Sequence, residues 1–532
     1  MPRAASVLSP NLSRRRTVAK PSLRSRGGIV VTQNRVASEV GARVLKEGGH
    51  AVDAAVAAAF AVGVVEPWMS GVGGLGAMLI YDAKSARAIA IDFGGRSPET
   101  LDPGDFPLLG GVDSDLFGWP AVKDNRNTIG AKAVVAPTGP AGLALAHHRF
   151  GRLRWRDLLA PAVELAETGP VVDWHTTLII AGAMADLARD PAARERFLPG
   201  GFPPDPPPAT TGRLLRLPMP QLARTLATIA GDGAAALSKG PLARAIAADV
   251  KAMGGYLSER DLAGAVAREV APLEITHADR IIHVLPELNG GPTLAVAFAE
   301  LARLRKSPER KPGASTFTHY AEAMRAGWRH RFEKMGDAGD RTAPTSTSHI
   351  CVVDRDGNMV TLTQTLLSLF GARVVLPKSG ILMNNGINWF DPRPGGPNAI
   401  APGRRVLANY APALMTGGGA VMAVGGCGGR RILPAVFQLM AMSADFGFDL
   451  DEAFRQPRID VSGLGPVVLD HRLPGRTRAA LASRFDTVLA EPVEFPFPFT
   501  IAGAVRRARG INEGASEPHH PCSDAAGEDD LE

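Results

Sequence analysis

Apolar and polar positions near the start of the chain follow patterns that predict short strands and helices. The apolar run Gly28–Gln33 predicts a strand, and apolar residues recur every three or four positions over residues 36–45, which predicts a helix. A second, almost wholly apolar helix is predicted over Asp53–Val65. The glycine-rich segment Gly71–Gly76 then leads into a predicted strand, Ala77–Tyr81.

The pattern is mostly helical between about residues 140 and 335 and turns to strands after that. The runs His349–Asp354 and Met359–Thr365 are joined by Asp354-Arg-Asp-Gly-Asn358, which is typical of a hairpin turn.

The remainder of the chain repeats this mixture. Further strands are predicted at Arg373–Leu376 and Ala420–Val424, and a helix is predicted after Gly429. Two strand-rich regions separated by helices predict a layered α/β core rather than a helical bundle.

Composition and charge then narrow the class of protein. The 532 residues are 45% apolar and 21% charged, enough for a large folded core. The net charge of +6 is not concentrated in a basic stripe with aromatic residues, so no nucleic-acid partner is predicted. The first 26 residues hold seven basic and no acidic residues, and residues 513–532 hold seven acidic and no basic ones. We therefore expect a disordered basic tail over 1–27 and an acidic flexible tail from about 513.

Other segments argue against a secreted protein, a membrane-spanning protein and a protein built on disulfides or zinc. No apolar run follows the basic residues of the first 26 positions, which argues against a secretory signal. The apolar run Ala54–Val65 is too short to cross a bilayer, so a cytoplasmic location without membrane contact is predicted. The three cysteines fit neither a disulfide framework nor a zinc site.

One motif suggests a dinucleotide site and is rejected. Gly71-Val-Gly-Gly-Leu-Gly76 matches G-x-G-x-x-G, but it follows a helix and precedes a strand. That order is the reverse of a dinucleotide-binding unit. No cofactor and no metal are predicted.

The hydroxyl-rich segment Thr345-Ser-Thr-Ser-His349 stands directly before a predicted strand, and taken alone it is an ordinary loop. Considered together with other parts of the chain, it belongs to an ordered series of short motifs: Gly48–Ala55, Glu66-Pro67, Gly71–Gly76, Gly254-Gly255, Asp261-Leu262, His319–Arg331, Thr347–His349, Asp356–Asn358, Thr363–Thr365, Gly380–Asn385, Gly425–Arg431 and Pro457–Ile459. This series resembles the γ-glutamyltransferase family of N-terminal-nucleophile hydrolases over about residues 28–465.

The resemblance implies a four-layer αββα sandwich formed jointly by the two chains of a self-cleaved precursor. The large (α) chain would be 28–346 and the small (β) chain 347–532, held together as an α/β heterodimer, with a dimer of these heterodimers left open. Cleavage between Ser346 and Thr347 would free the α-amino group of Thr347. In this enzyme class that amine, with a pKa near 8, is the base that activates the threonine hydroxyl.

Three further residues acquire roles from the resemblance. Thr365 corresponds to the residue that orients the nucleophile, two strand positions beyond Thr363. Gly428 and Gly429 match the pair whose backbone N–H groups form the oxyanion hole, where each donor typically contributes about 10²–10³ in rate.

The family's γ-glutamyl pocket is largely missing. The positions expected to hold the head group carry other residues: Gly94, Leu367, Gly386, Trp389 and Ala408-Asn409. Arg96 and Asn409 are the remaining candidates for substrate binding. Charged hydrogen bonds contribute about 1.5–3 kcal/mol each, so a γ-glutamyl substrate would bind poorly.

We therefore expect an amide hydrolase acting on a small carboxylate-bearing amide of the oxamate type. Other proteins of this outline resemble acylases for dicarboxylic side chains. A γ-glutamyltransferase (glutathione hydrolase) is the alternative. A catalytically silent scaffold with the same fold is an alternative of another class.

Overall fold

The structure is a computed structural model, which describes residues 5, 6, 8, 11, 13, 15 and 17–531 except 113–116, 306–308, 336–345 and 496. Its helices are α1 (Arg35–Lys46), α2 (Ala51–Val65), α3 (Gly139–Phe150), α4 (Trp155–Thr168), α5 (Trp174–Leu187), α6 (Pro191–Phe197), α7 (Pro220–Asp232), α8 (Pro241–Ala252), α9 (Glu259–Ala263), α10 (Gly291–Leu304), α11 (Ala314–His330), α12 (Ile432–Phe446), α13 (Leu450–Arg455) and α14 (Gly475–Ala482). Its strands are β1 (Ala5–Ser6), β2 (Leu23–Ser25), β3 (Ile29–Thr32), β4 (Leu75–Asp82), β5 (Arg87–Phe93), β6 (Leu108–Val112), β7 (Pro120–Val122), β8 (Arg268–Val270), β9 (Leu273–His277), β10 (Arg280–Val284), β11 (Ser346–Val353), β12 (Met359–Leu367), β13 (Ala413–Gly417), β14 (Ala420–Cys427), β15 (Ile459–Asp460), β16 (Val467–Asp470), β17 (Thr487–Ala490), β18 (Ile501–Ala508), β19 (Ile511–Ser516) and β20 (Asp524–Gly527).

Two large antiparallel sheets form the centre of the molecule. The first has the strand order β20-β3-β11-β12-β4-β5-β8, and the second has the order β2-β19-β18-β14-β13-β10-β9. Smaller sheets are formed by β1-β17-β16-β15 and by β6-β7.

The two large sheets stack face to face. Thr361 in β12 donates a hydrogen bond of 3.1 Å to the carbonyl of Val424 in β14. The outer face of the first sheet packs on α1 and α2, and the outer face of the second packs on α10, α11 and α12. The predicted four-layer αββα sandwich is therefore confirmed.

Local sequence explains the elements that carry the centre of the fold. Every residue of α2 is buried, which fits its apolar composition, and a capping box between His50 and Asp53 fixes its start. The predicted hairpin is present, because the Asp354 carboxylate accepts a 2.9 Å hydrogen bond from the N–H of Asn358 and closes the turn between β11 and β12.

Some predicted elements are wrong. Arg373–Leu376 is not a strand, because Phe370, Gly371 and Arg373 all have positive φ and interrupt extended backbone. The short strands β8, β9 and β10 lie in a region predicted to be mostly helical.

The terminal segments also differ from expectation. Residues from 513 onward are not a flexible tail: β19 pairs with β18 and β2, and β20 pairs with β3. The acidic and basic ends meet, since Arg24 lies 3.2 Å from the buried carboxylate of Glu513. Of the predicted 1–27 tail, residues 23–25 form β2, whereas 1–4, 7, 9, 10, 12, 14 and 16 lie outside the described residues. No helix within the described ranges is both long and apolar enough to span a bilayer.

Candidate active site

Thr347 lies at an irregularity in the first sheet. Ser346 pairs with Leu367 and Ser348 with Gln364, so the register shifts at the residue between them. The Thr347 hydroxyl is buried and donates a hydrogen bond of 3.1 Å to the Oγ1 atom of Thr365. The structure thus brings together the predicted nucleophile and the predicted orienting residue.

Beneath this pair, a row of polar side chains fills the space between the sheets. His349 contacts Thr363 through Nδ1 at 3.0 Å, and through Nε2 it contacts Thr361 at 3.3 Å and the Cys351 sulfur at 3.1 Å. Burial lowers the pKa of His349 to about 3 and raises the pKa of the Cys351 thiol to about 12. Both groups are therefore neutral near pH 7 and act as packing and hydrogen-bonding groups rather than as acid or base.

The opposite face of β11 is fixed to the segments around α2. The Ser70 hydroxyl donates to the Ser348 hydroxyl at 2.7 Å, and Gln364 donates to the Ala59 carbonyl at 2.8 Å and to the Ser70 hydroxyl at 3.1 Å. The strand that begins near Thr347 is therefore held from both faces.

The second sheet contributes the strand that crosses under His349. The Cys351 sulfur contacts the carbonyl of Ala423 at 3.6 Å. A Cβ atom on Gly425 would lie 2.2 Å from the His349 ring, so only glycine fits there. Cys351 thus lies against Ala423, and His349, two residues earlier in β11, lies against Gly425, two residues later in β14.

This correspondence locates the predicted oxyanion glycines. One further step of two residues leads from His349 to Thr347 on β11 and from Gly425 to Cys427 on β14, after which Gly428 and Gly429 follow directly. Their φ angles are +130° and +59°, and the turn Gly429–Arg431 leads into α12. The glycine pair thus directly follows β14, and its role as the oxyanion hole stays a prediction.

Comparison with known proteins agrees with this geometry. The family model described as Gamma-glutamyltranspeptidase matches residues 37–346 and 338–526. The chain belongs to the gamma-glutamyltranspeptidase family. It is 33% identical over 546 residues to the "Acylase ACY 1 proenzyme" of Pseudomonas sp. (strain SE83), covering 95% of this chain and 93% of that one.

Two other family-level similarities are informative. The chain is 30% identical over 508 residues to the "Glutathione hydrolase proenzyme" of Pseudomonas sp. (strain A14), with 85% of each chain covered. In fold, it is similar to a cephalosporin acylase from Bacillus halodurans, with a TM-score of 0.82, 23% identity and coverage of 98% of this chain and 99% of that one. The chain is thus a hydrolase of the gamma-glutamyltranspeptidase family, whose named relatives include acylases and glutathione hydrolases.

Two of the positions expected in the head-group pocket, Gly386 and Trp389, pack against other residues of the fold. Val135 packs against both Gly95 and Gly386, where a Cβ would lie 2.8 Å and 2.4 Å from its methyl groups. Trp389 is buried and meets Tyr410 edge to face, with ring centroids 5.8 Å apart. This wall offers no carboxylate at Gly386 or Trp389 for a substrate ammonium group.

Asn409 has an evident structural contact. Its Oδ1 atom accepts a hydrogen bond of 2.7 Å from the Arg331 guanidinium, which is fully buried. Arg331 also donates to the carbonyls of Ala408 and Asn289, each at 3.0 Å. Asn409 thus fixes its loop to the end of α11, and its role in substrate binding stays a prediction.

Arg96 follows β5, which pairs with β4, the neighbour of the strand that carries Thr365. It is exposed, and its Nη1 atom donates a hydrogen bond of 2.8 Å to the Gly403 carbonyl. It lines a cavity of about 190 Å³ together with Arg268 and Arg405, both of which are paired with Asp92. No contact in the structure tests its predicted role, which stays a prediction.

Sequence reasoning missed two buried ionisable residues in family motifs. Glu66 accepts a 3.3 Å hydrogen bond from Asn34, and burial raises its pKa to about 8. Arg430 follows the glycine pair and is only 3% exposed. The sequence signal for each was its place inside a family motif, Glu66-Pro67 and Gly425–Arg431.

Proposed function

We propose that this chain is a precursor that cuts itself between Ser346 and Thr347, and that Thr347 then hydrolyses an amide substrate. The observation that carries the proposal is the 3.1 Å hydrogen bond between the hydroxyls of Thr347 and Thr365 at the start of β11. A threonine hydroxyl is a weak nucleophile unless a base and an orienting partner act on it.

The chemistry has two stages. First, the Thr347 hydroxyl attacks the Ser346 carbonyl, the amide nitrogen leaves as the α-amino group of Thr347, and water hydrolyses the resulting ester. In the second stage that amine takes the hydroxyl proton while the oxygen attacks the substrate amide carbon. The N–H groups of Gly428 and Gly429 would bind the oxyanion. The α-amino group would then give its proton to the substrate nitrogen, which would leave as ammonia or an amine, and water would hydrolyse the remaining ester on Thr347 to release the acid.

The substrate that suits this pocket is an amide whose acyl part carries a carboxylate but no ammonium group. Support comes from the wall at Gly386 and Trp389, which holds no acid to pair with an ammonium. A γ-glutamyl group carries both charges, and an unpaired buried charge is costly. Oxamate is the shortest member of this class, and longer dicarboxylic monoamides extend it.

Glutathione hydrolysis is the second candidate. The 30% identity to the "Glutathione hydrolase proenzyme" over 85% of the chain favours it. The two candidates differ in whether the site accepts an α-ammonium group, so a substrate panel separates them.

Cleavage is tested by mass spectrometry and N-terminal sequencing. The precursor of 55.8 kDa should yield chains 1–346 and 347–532, whereas Thr347→Ala should stay uncut and inactive. Thr347→Ser, which keeps a hydroxyl, is the matched control and should still be cut. A wild-type mass that stays at 55.8 kDa would contradict the mechanism.

The substrate is tested on the processed enzyme by its rates on small amides. We expect faster ammonia release from oxamate or succinamate than cleavage of glutathione or a γ-glutamyl anilide. Comparable rates on the γ-glutamyl compounds would favour the second candidate. A fully processed protein that cleaves nothing in the panel would favour a silent scaffold.

A further inference from the structure

The solvent-facing side of α5 is apolar over about three turns of helix. The helix contains no Asp, Glu, Lys or Arg before Asp186, close to its end. Five exposed residues recur at spacings of three and four positions and therefore share one face: Trp174, Leu178, Ala181, Gly182 and Ala185. The solvent face of a surface helix is normally polar, so this face has the character of a contact surface.

Two neighbouring segments are held beside the start of α5 by hydrogen bonds. The Thr177 hydroxyl donates a bond of 2.8 Å to the Pro204 carbonyl. The N–H group of Val172 donates a bond of 2.9 Å to the Leu215 carbonyl. The residues next to these two carbonyls therefore extend the surface of the helix on that side.

The side chains at this end of α5 form a large exposed apolar patch. Phe202, Leu214 and Trp174 are 73%, 66% and 49% exposed, and Leu178 and Val171 are exposed as well. An aromatic side chain presents about 150–250 Å², so the two aromatic residues together expose roughly 200–300 Å². An apolar patch of several hundred Å² marks an interaction site. A stable interface takes about 800 Å² from each partner, of which this patch and the rest of the α5 face provide a large part.

The two halves of the α5 face have complementary shapes. The half toward the start of the helix carries the large side chains of Trp174 and Leu178, whereas the other half carries only Ala181, Gly182 and Ala185. A Cβ atom on Gly182 would meet no atom of the described residues within 4 Å outside its own part of the helix. Two such helices packed antiparallel about a two-fold axis would place the large half of each on the small half of the other.

We propose that two copies of this chain associate through this surface, with their α5 helices antiparallel and in contact. A two-fold contact requires one surface to match itself, and the large and small halves of α5 meet that requirement. In this arrangement Trp174 lies on Ala185 of the second copy, and Leu178 lies on its Ala181. The inference goes beyond amide hydrolysis by Thr347 and does not depend on it.

Sedimentation of the purified protein at micromolar concentration tests the association. We expect a particle of twice the 55.8 kDa chain mass. Leu178→Glu should raise the dissociation constant at least about tenfold, because it buries an unpaired carboxylate in the contact. Ile281→Glu in β10, at a position with the same 42% exposure as Leu178, is the matched control and should keep the wild-type dissociation constant. A monomeric wild-type protein would overturn the inference, and so would equal dissociation constants in wild type and Leu178→Glu.

Cross-linking tests the arrangement without weakening it. With the two-fold axis midway between Leu178 and Ala181, cysteines at 181 would lie about 5 Å apart along the helix axes, and cysteines at 188 about 25 Å apart. Both variants carry Cys522→Ser, which removes the half-buried native thiol. A short bismaleimide should join Ala181→Cys into a covalent dimer and leave Ala188→Cys as single copies. Equal yields in the two variants, including none in either, would overturn the antiparallel contact.

The association and the catalysis can fail separately. Helix α5 lies wholly before residue 346, so the uncut Thr347→Ala variant should associate as strongly as the wild-type protein. A protein that forms the pair but cleaves no amide would contradict the proposed function and support this inference. An active enzyme that stays a single copy would do the reverse.

Discussion

The Oγ1 atom of Thr365 accepts hydrogen bonds from two groups, the hydroxyl of Thr347 at 3.1 Å and the backbone N–H of Leu367 at 2.8 Å. The second bond fixes the direction in which the Thr365 hydroxyl faces the nucleophile. Thr365 is therefore oriented by the backbone of its own strand, independently of the substrate.

Replacing Thr365 by valine keeps the shape and removes this acceptor. We expect slower self-cleavage and a kcat reduced by about tenfold or more, since the hydroxyl of Thr347 loses its orienting partner. Cleavage is followed by gel electrophoresis and kcat by ammonia release. Thr361→Val, on the same strand and face but bonded to Val424, is the control and should lose stability more than kcat. Equal kcat in wild type and Thr365→Val would mean that Thr365 has no orienting role.

The oxyanion glycines predict a second outcome. Gly429→Ala should reduce kcat more than it raises KM, by about tenfold or more, because a shifted N–H group binds the oxyanion poorly. Gly447→Ala is the matched control: it has a φ of +70° at the other end of α12 and open space around it. Both substitutions impose similar backbone strain. Equal kcat losses in the two variants would indicate strain alone.

Buried His349 predicts a pH dependence of stability. Its pKa is about 3 in the folded protein and 6.5 in a free side chain, so the unfolded chain binds more protons between these values. Stability should be complete above about pH 6.5 and should fall toward pH 3 by up to about 1.4 kcal/mol per pH unit from this group. The melting temperature of His349→Gln should depend less on pH in this window, and that of the exposed control His148→Gln should follow wild type. A wild-type slope retained in His349→Gln would assign the effect to other groups.

Buried Glu66 predicts a pH dependence of stability with the opposite sign to that of His349. Its pKa rises from 4.5 to about 8 on burial, so the folded protein holds a proton that the unfolded chain has released. Stability should therefore fall as the pH rises from about 4.5 to 8. Glu66→Gln resembles the protonated form and should raise the melting temperature at pH 8 more than at pH 5. Glu47→Gln, at an exposed position, is the control. An equal shift at both pH values would show that Glu66 is not protonated in the fold.

Sequence patterns predicted the elements around the nucleophile because these elements are local. The hairpin turn Asp354–Asn358 and the apolar helix α2 each follow from neighbouring residues. The contact between Thr347 and Thr365 depends on the register of that hairpin. The roles of the two residues were inferred from the family resemblance.

The pairing of the chain ends could not be predicted in the same way. β2 and β19 pair across nearly the whole length of the chain, and the charged residues Arg24 and Glu513 looked like parts of two separate tails. The position of Arg430 among Phe117, Trp328 and Phe332 likewise depends on three distant segments. Contacts of this kind are set by tertiary packing, on which local periodicity carries no information.

Strands from both sides of residue 346 lie next to each other at several places in the two large sheets. β3 lies between β20 and β11, β12 pairs with β4, β10 pairs with β13, and β2 pairs with β19. Once the chain is cut, neither piece has a complete copy of either large sheet, and separating them would break hydrogen bonds along all these borders. The processed protein would then retain an arrangement that formed while it was one molecule. Its refolding after denaturation would become a second-order process that slows on dilution, so its persistence would depend on a slow unfolding rate.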